Sequence, residues 1–412
     1  MILPWVCEMK NGGTVKEKNN LKKTNTGICL LLPFFTLLAP YKIGLISASL
    51  LLLFIIALFY CVQVKFSIRW TRIHSSYCAF LIWVFFKDIL RALSANVPMA
   101  SINRMVEYIF CFFIIFIIMD IEVDELLLYR CWKIAGLIYI FGLLYHIFCL
   151  YVIRKPISPL TIIPGYSLRD SELLEGMNRP TSFFSEPAAF AWAMIPLEFL
   201  SLRRRDIKWA IISTLSILAS TSTIGIVLSF VLWGFCFYKN KMPRKVKLLL
   251  LVSAVAVLIA FVKLPYFENS FSKLISVIER KNTFGSRVRV GYEVVESLSL
   301  GQKCFGTLST SVMDYVGRNL SLFIDKPTTI VYFQDKRIFL NAFSQLIFFY
   351  GIIGAVLYVV PIVVLISQKK YKAKPLLMAW LLAIMAETMV LDAYHYLFIV
   401  LSAIYVKISK TY

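Results

Sequence analysis

Long apolar runs dominate this chain and limit what it can fold into. Three of them cover residues 43–60, 246–262 and 347–366. An apolar run of about 18 residues or more crosses the hydrocarbon layer of a membrane as a helix. Only 16% of the residues are charged, whereas a soluble domain has about a quarter. The sequence therefore predicts an all-α polytopic membrane protein.

Short basic clusters separate these runs and predict the topology. Basic residues beside spans stay on the cytoplasmic side, so the chain between two clusters crosses the membrane an even number of times. This rule predicts about 12 transmembrane helices, with both termini cytoplasmic. The clusters are the N-terminal tail, Lys65/Arg69/Arg72, Arg203/Arg204/Arg205/Lys208, Lys239/Lys241/Arg244/Lys245/Lys247, Lys369/Lys370/Lys372/Lys374 and Lys407/Lys410.

Three stretches between clusters are predicted helical hairpins. Residues 28–64 turn at Pro40, because proline breaks a helix. Residues 207–238 are fewer than the roughly 40 that two full spans need, so they form either two short helices meeting at 220–223 or a re-entrant pair. Residues 375–406 turn at 392–395. The remaining spans are predicted over 77–95, 105–119, 132–153, 187–202, 245–263 and 342–366.

The polar segments are predicted to belong to the same single membrane domain, 1–412. Residues 1–27 form a cytoplasmic tail, while 154–186 and 264–340 are long external loops. Long loops cross the membrane despite their charge. The larger loop contains little Pro or Gly and should carry short amphipathic helices. One helical apolar pattern consists of Val288, Tyr292, Val295 and Leu298.

Composition and motifs exclude several classes of function. The net charge of +21 follows from the positive-inside pattern, so no nucleic-acid partner is expected. No GxxxxGK[ST], HExxH or GxSxG motif occurs. The three histidines lie far apart in sequence and no CxxC occurs. We therefore expect no metal site, disulfide framework or cofactor.

The segment 179–191, RPTSFFSEPAAFA, is the sharpest motif. Pro187 suits the first turn of a helix, which puts Glu186 at or near the N-cap. Local physics alone favours a structural interpretation, in which Glu186 caps the helix and Arg179 pairs with it. Likewise, Lys87, Asp88 and Arg91 can pair along one helix.

A resemblance to a known family adds a functional interpretation. The segment resembles the R-x-x-S-F-F-x-E-P-x-x-F-A pattern of Wzy-type O-antigen and capsular polysaccharide polymerases, members of the O-antigen polymerase and ligase superfamily. Three later segments resemble the superfamily in the same order: 220–226 (STSTIGI), Gly285-Ser286-Arg287 with the glycine turn 301–306, and 341–354 (NAFSQLIFFYGIIG). Leu340 departs from ligases, which often carry histidine there.

The resemblance implies a glycosyltransferase in the bacterial inner membrane. It would polymerise undecaprenyl-pyrophosphate-linked oligosaccharides, with one as donor and one as acceptor, at the external face. A chain-length regulator and a flippase are further expected partners, beside the lipid bilayer. Arginine forks match phosphate oxygens and stabilise the charge of the departing pyrophosphate.

The implied catalytic residues are Arg179, Arg287 and Glu186. The two arginines would clamp pyrophosphate, and Glu186 would act as general base, although its capping role competes with that reading. Four further residues are expected to bind substrate, with Arg280 and Arg154 chiefly contacting lipid headgroups. These four are Arg289, Arg280, Arg154 and His395.

Other functions stay open on sequence alone. An O-antigen ligase belongs to the same superfamily, and the residue at 340 argues mildly against it. A lipid-linked oligosaccharide flippase or another transporter would show duplicated halves, which this sequence lacks. An assembly scaffold is a further alternative.

Overall fold

The computed structural model describes residues 15–43, 46–64, 70–94, 98–155, 157–162, 179–239, 283–309, 311–334, 338, 340–368, 371–385 and 393–408. The predicted span 245–263, the site residue Arg280 and the first part of the predicted tail lie outside these ranges. Fifteen α-helices occur in the described residues: α1 Val15–Leu38, α2 Ala48–Gln63, α3 Arg72–Ser94, α4 Pro98–Ile118, α5 Glu125–Phe148, α6 Pro187–Arg204, α7 Ile207–Ala219, α8 Thr223–Lys239, α9 Thr283–Ser297, α10 Leu300–Phe305, α11 Val312–Arg318, α12 Pro327–Gln334, α13 Ala342–Ser367, α14 Lys374–Ile384 and α15 Ala393–Ile408.

The predicted all-α fold class is confirmed. The strands of the described chain, β1 Lys42–Ile43 and β2 Ile46–Ser47, form one short antiparallel pair. A π-helical turn, Cys149–Ile153, extends α5. Two 3-10 turns cover Pro159–Ile162 and Leu320–Phe323.

Two helices are long and apolar enough to cross a membrane by length and composition. They are Glu125–Ile153, which is α5 with its π turn, and Ala342–Ser367, which is α13. Six shorter apolar helices also occur among the described residues. Apolar side chains cover much of the outer surface, as Ile82 and Leu93 of α3 show with 70% and 81% exposure.

The predicted turns at Pro40 and at 220–223 are confirmed as breaks between helices. Helix α1 ends at Leu38, and the β1–β2 pair leads into α2, whose N-cap Ser47 accepts a hydrogen bond from the Leu50 N–H. Helix α1 also begins at Val15, so the second half of the predicted tail is helical. The third turn, predicted at 392–395, differs because α15 already begins at Ala393.

Helix α13 is broken at Gly351, where the sequence predicted an uninterrupted span. The backbone of Gly351 has φ 73° and ψ 179°, a conformation open essentially to glycine alone. A Cβ there would lie 2.1 Å from the Cys304 carbonyl oxygen. The break lets the end of α10, with Gly306 at φ 80°, approach the α13 backbone directly.

Helices α3, α4 and α13 pack as one unit. Rings from all three meet between them at centroid distances of 5.1–6.3 Å. Such edge and tilted ring contacts stabilise a core beyond the burial of area alone. The rings belong to Phe80, Tyr108, Phe112, Tyr350 and Tyr358.

Short helices fill the described part of the larger predicted loop, as expected. The buried face of α9 differs in part from the predicted one, because Tyr292 is 67% exposed whereas Val290 and Val294 are buried. The buried face of α9 packs on α13, and Gly291 permits close contact with Ser344. Leu298 is buried and Val295 packs against the core as predicted, so Tyr292 is the member of the predicted face that was placed wrongly.

Candidate functional site

Arg179 is fixed to the turn between α7 and α8. Its Nε donates to the Thr221 hydroxyl oxygen over 2.9 Å, and its Nη2 donates to the Thr221 carbonyl. Two donors on one residue hold the plane of the guanidinium. The side chain is half-buried.

The α7–α8 turn is built by its own hydroxyls. Ser220 donates to the Ile217 carbonyl, and the Ser222 hydroxyl accepts from the Gly225 N–H. Thr221 has φ 58°, a left-handed conformation that is uncommon for a β-branched residue. Such strain persists where the surroundings impose it, and here the Arg179 bonds lie on the strained residue.

The hydroxyl residues that follow Arg179 bind the motif to α5, whose C-terminal end is external in the predicted topology. The Thr181 N–H donates to His146 Nδ1 over 3.0 Å, and the Ser182 hydroxyl donates to the Tyr139 carbonyl over 2.7 Å. A ring nitrogen that accepts a hydrogen bond is unprotonated, so His146 is held in the tautomer with its proton on Nε2. Sequence reasoning assigned no role to His146.

Glu186 is the N-cap residue of α6, followed by Pro187, as predicted. Its side chain is exposed and makes no capping hydrogen bond. The carboxylate therefore faces solvent beside the Arg179 motif. Arg154 is exposed at the end of the π turn that extends α5, with φ 59°.

Arg289 has a local partner. Its Nε donates to Glu293 one turn later over 2.8 Å, and the arginine side chain is 49% exposed. The buried Glu293 carboxylate also accepts from the Thr329 hydroxyl (2.7 Å) and the Thr329 N–H (3.2 Å) in the first turn of α12. Glu293 thus caps a second helix from outside.

Two site residues are described by their backbone alone. Arg287 lies in α9 and His395 in the first turn of α15. Helix α9 packs beside the start of α13, where the Asn341 side chain accepts from the Ser344 N–H. The described hydrogen bonds give Arg179 and Arg289 different partners and do not bring them together.

A buried charge cluster joins α3, α4 and α13, and we call it the α3 cluster. It consists of Lys87, Asp88, Arg91 and Arg104. Arg91 forms an ion pair with Asp88, both side chains being fully buried, and Arg104 lies 3.9 Å from the same carboxylate. The Tyr350 hydroxyl donates to Asp88 over 2.9 Å.

Arg91 also binds the two chain segments that cross at the glycines. Its Nη2 donates to the Phe349 carbonyl over 2.7 Å and to the Thr307 carbonyl over 3.1 Å. Trp83 donates to the Tyr350 carbonyl over 2.8 Å. Arg91 and Trp83 thereby satisfy the Phe349 and Tyr350 carbonyls beside the break in α13.

Sequence reasoning treated three members of the α3 cluster as ordinary helical pairs. The available signal was charge inside a predicted span, which usually faces a cavity or a partner. Arg104, at the edge of the predicted span 105–119, carried the same signal. Glu198 is a further buried carboxyl, and it accepts from Thr214 and Ser229.

Comparisons with known proteins place no relative beside this chain: no family model, curated protein or solved structure matches it. Within the described ranges, no group of three or more His, Cys, Asp or Glu side chains is arranged to hold a metal ion.

Proposed function

We propose that this chain is a Wzy-type polymerase of lipid-linked oligosaccharide repeat units. In this proposal about 12 helices cross the bacterial inner membrane and both termini are cytoplasmic. Segments 154–186 and 264–340 then face outward. The glycan product is an O-antigen, capsule or exopolysaccharide.

One observation carries the proposal: the segments that resemble the superfamily meet in pairs. Arg179 of the first segment binds Thr221 of the second, 42 residues away. The glycine turn of the third segment crosses the fourth, where the Thr307 N–H next to Gly306 donates to the Phe348 carbonyl over 2.8 Å. Contact between these segments supports the proposal, because residues of one shared site must lie together.

Exposed apolar side chains and the lengths of the helices support the membrane part of the proposal. The apolar faces of α3 and α5 are exposed, with Phe141 of α5 at 68%, and lipid would cover them. Two helices have the length and composition of spans. Helices α7 and α8 are short, with 13 and 17 residues, which suits a pair that does not cross the full layer.

The proposed reaction transfers a glycan between two lipid carriers. The bond between the anomeric carbon and the pyrophosphate oxygen breaks, and a hydroxyl of the acceptor sugar forms the new glycosidic bond. The lipid pyrophosphate leaves with the bonding electrons, and the hydroxyl proton passes to a base. Arg179 and Arg287 would stabilise the leaving charge; exposed Glu186 would accept the proton. No ATP is required.

Arg289 takes a smaller part in this proposal, because Glu293 already neutralises it. Arg280, Arg154 and His395 remain proposed contacts to the substrate or to lipid headgroups. Arg154 is exposed as this role requires.

The test is a gel of surface glycan from a strain that lacks the gene. We expect core lipid capped with a single repeat unit, and a ladder that returns with the wild type. Arg179→Ala and Arg287→Ala should fail to restore it, whereas Arg318→Ala should restore it fully. Arg318 is the matched control, since its side chain is exposed and forms a local ion pair with Asp314 in the same helix. An unchanged ladder in the deletion strain would refute the proposal.

A flippase is the second candidate, because transporters often contain helices broken within the membrane and α13 is broken at Gly351. The same gel separates the candidates. Loss of a flippase leaves core lipid without any repeat unit and single lipid-linked units inside the cell. Loss of a ligase also leaves bare core, but long lipid-linked polymer accumulates outside.

A further inference from the structure

One face of α5 contacts the motif segment along two turns of the helix. Tyr139, Gly142 and His146 lie three and four residues apart, so they share this face. The Tyr139 carbonyl accepts from the Ser182 hydroxyl over 2.7 Å, and His146 Nδ1 accepts from the Thr181 N–H over 3.0 Å. A Cβ at Gly142 would lie 2.6 Å from the Ser182 hydroxyl oxygen. The motif segment therefore lies directly against α5.

The two motif residues that α5 binds are held in a constrained backbone. Thr181 and Ser182 are fully buried, and Ser182 has φ 58°, a left-handed conformation that is uncommon outside glycine. Such a backbone persists where its surroundings impose it. A buried N–H such as that of Thr181 is costly to leave without an acceptor. The path of the chain beside Arg179 therefore depends on the acceptors that α5 provides.

His146 acts on the motif through one ring nitrogen. The residue is 2% exposed. Its Nδ1 accepts the Thr181 N–H, and the Thr181 hydroxyl lies 3.3 Å from the same nitrogen. Because this lone pair is occupied and the other nitrogen carries the proton, the neutral ring has no lone pair left for a substrate proton. The arrangement suits a support for the motif and not a general base.

We propose that His146 is a positioning residue, which holds Arg179 and Glu186 in place for substrate by accepting the Thr181 N–H. This inference rests on the proposed function. Thr181 lies two residues after Arg179 and five before Glu186, so one bond at its backbone constrains both. Without that bond the segment favours other conformations, and the share of molecules with an assembled site falls.

The chain offers a matched control in His74. Its Nδ1 accepts the Thr71 N–H over 3.0 Å, and His74 is also 2% exposed. It lies in the first turn of α3, on the cytoplasmic side of the proposed topology. A substitution at His74 therefore measures the general cost of losing such a bond without altering the motif.

The first test is hydrogen exchange at the Thr181 amide of the full-length protein in nanodiscs. Exchange should become roughly 10- to 100-fold faster in His146→Ala and His146→Gln and stay slow in His146→Asn. The asparagine oxygen is bonded to Cγ, as Nδ1 is in histidine, and can accept the same N–H, whereas the glutamine amide begins one atom further out. His74→Ala should leave exchange at Thr181 unchanged. Slow exchange in both His146→Ala and His146→Gln overturns the inference.

The second test measures binding of radiolabelled inorganic pyrophosphate in nanodiscs of neutral lipid. Affinity at the site that Arg179→Gln removes should fall roughly 10- to 100-fold in His146→Ala and return in His146→Asn. His74→Ala should bind pyrophosphate like the wild type. If His146→Ala does not fold, His146→Gln replaces it in the same comparison. Lost binding in His146→Asn while its Thr181 exchange stays slow shows that the ring acts in another way, and it also overturns the inference.

The inference and the proposed function fail in different ways. Unchanged Thr181 exchange or unchanged pyrophosphate binding at the Arg179 site overturns the positioning role of His146, even if the deletion strain lacks its glycan ladder. An unchanged ladder in the deletion strain refutes the polymerase, and the catalytic purpose of that positioning with it. A lost ladder that His146→Asn restores and His146→Ala does not restore supports both.

Discussion

Two arginines that each pair with a carboxylate of their own helix behave differently in this molecule. Arg91 and Arg289 each have a carboxylate one helical turn away, Asp88 and Glu293 respectively. The Arg91 pair is fully buried and binds carbonyls from two distant segments, whereas Arg289 is half-exposed and binds only its neighbour among the hydrogen bonds described for it. Exposed pairs contribute about 0–1 kcal/mol, while breaking a buried pair costs about 3–5 kcal/mol. Burial and bonds to distant segments therefore raise the importance of an ion pair within a helix.

The largest expected effect is that of Arg91→Ala. It leaves Asp88 buried with fewer partners and removes the donor to the Phe349 and Thr307 carbonyls, so stability should fall by about 3–5 kcal/mol. Arg289→Ala should lower it by less than about 1 kcal/mol. Thermal unfolding in detergent measures both, and equal losses would show that burial does not separate the two pairs.

Gly351→Ala tests the crossing that gives Arg91 its partners. The positive φ costs about 1–3 kcal/mol for a side chain, and a Cβ would meet the Cys304 carbonyl at 2.1 Å. We expect a clear fall in unfolding temperature and faster proteolysis after Phe305. Gly301→Ala is the control, because a Cβ there has open space and alanine favours the helix. A loss as large in the control would contradict the explanation.

The variant Glu293→Ala removes the carboxylate of the Arg289–Glu293 pair. Glu293 accepts two hydrogen bonds from Thr329, which is buried. Leaving a buried donor unsatisfied costs about 1–3 kcal/mol, more than the loss of Arg289. Hydrogen exchange in the first turn of α12 should rise in Glu293→Ala and stay unchanged in Arg289→Ala. If both variants behave alike, Glu293 does not cap α12.

The smallest expected effect concerns Asp206, which forms a half-exposed ion pair with Lys133 at the predicted cytoplasmic side. Burial raises its pKa, but hydrogen bonds from the Tyr129 hydroxyl and the Trp209 N–H, with the Lys133 ammonium nearby, lower the pKa overall. Because its pKa is lowered in the folded state, Asp206 stabilises the protein at pH values above the ordinary pKa of aspartate. This stabilisation is lost as pH falls through the folded-state pKa. Asp206→Asn should flatten the fall in unfolding temperature below about pH 4. An unchanged slope of unfolding temperature against pH would show that Asp206 does not contribute to the loss of stability in acid.

Charge and proline patterns predicted much of the helical layout. The basic clusters and Pro40 placed the α1–α2 turn, and the Ser/Thr run placed the α7–α8 turn. These features act locally or through a simple rule about one membrane side. The number of spans and the orientation remain predictions.

Features that depend on distant contacts could not be predicted. Gly351 lies in an apolar run that predicts one continuous helix. The break of α13 at this residue accompanies the close approach of the Cys304 backbone, which is distant in sequence. The buried face of α9 depends on where α13 lies, so Tyr292 was placed on the wrong side. The Arg179 partner, Thr221, was visible only as part of a second motif.

The sequence separation of the Arg91 bonds has a consequence for biosynthesis in the proposed membrane topology. Phe349 follows Arg91 by 258 residues, and Tyr350 follows Trp83 by 267. A ribosome adding about 5–20 residues per second supplies α13 roughly 13–50 s after α3. Throughout that interval Arg91 has Asp88 beside it on α3 but lacks its Phe349 acceptor. Insertion of α13 therefore completes the hydrogen bonds of α3, and a chain ending before α13 presents an incompletely bonded arginine to membrane quality control.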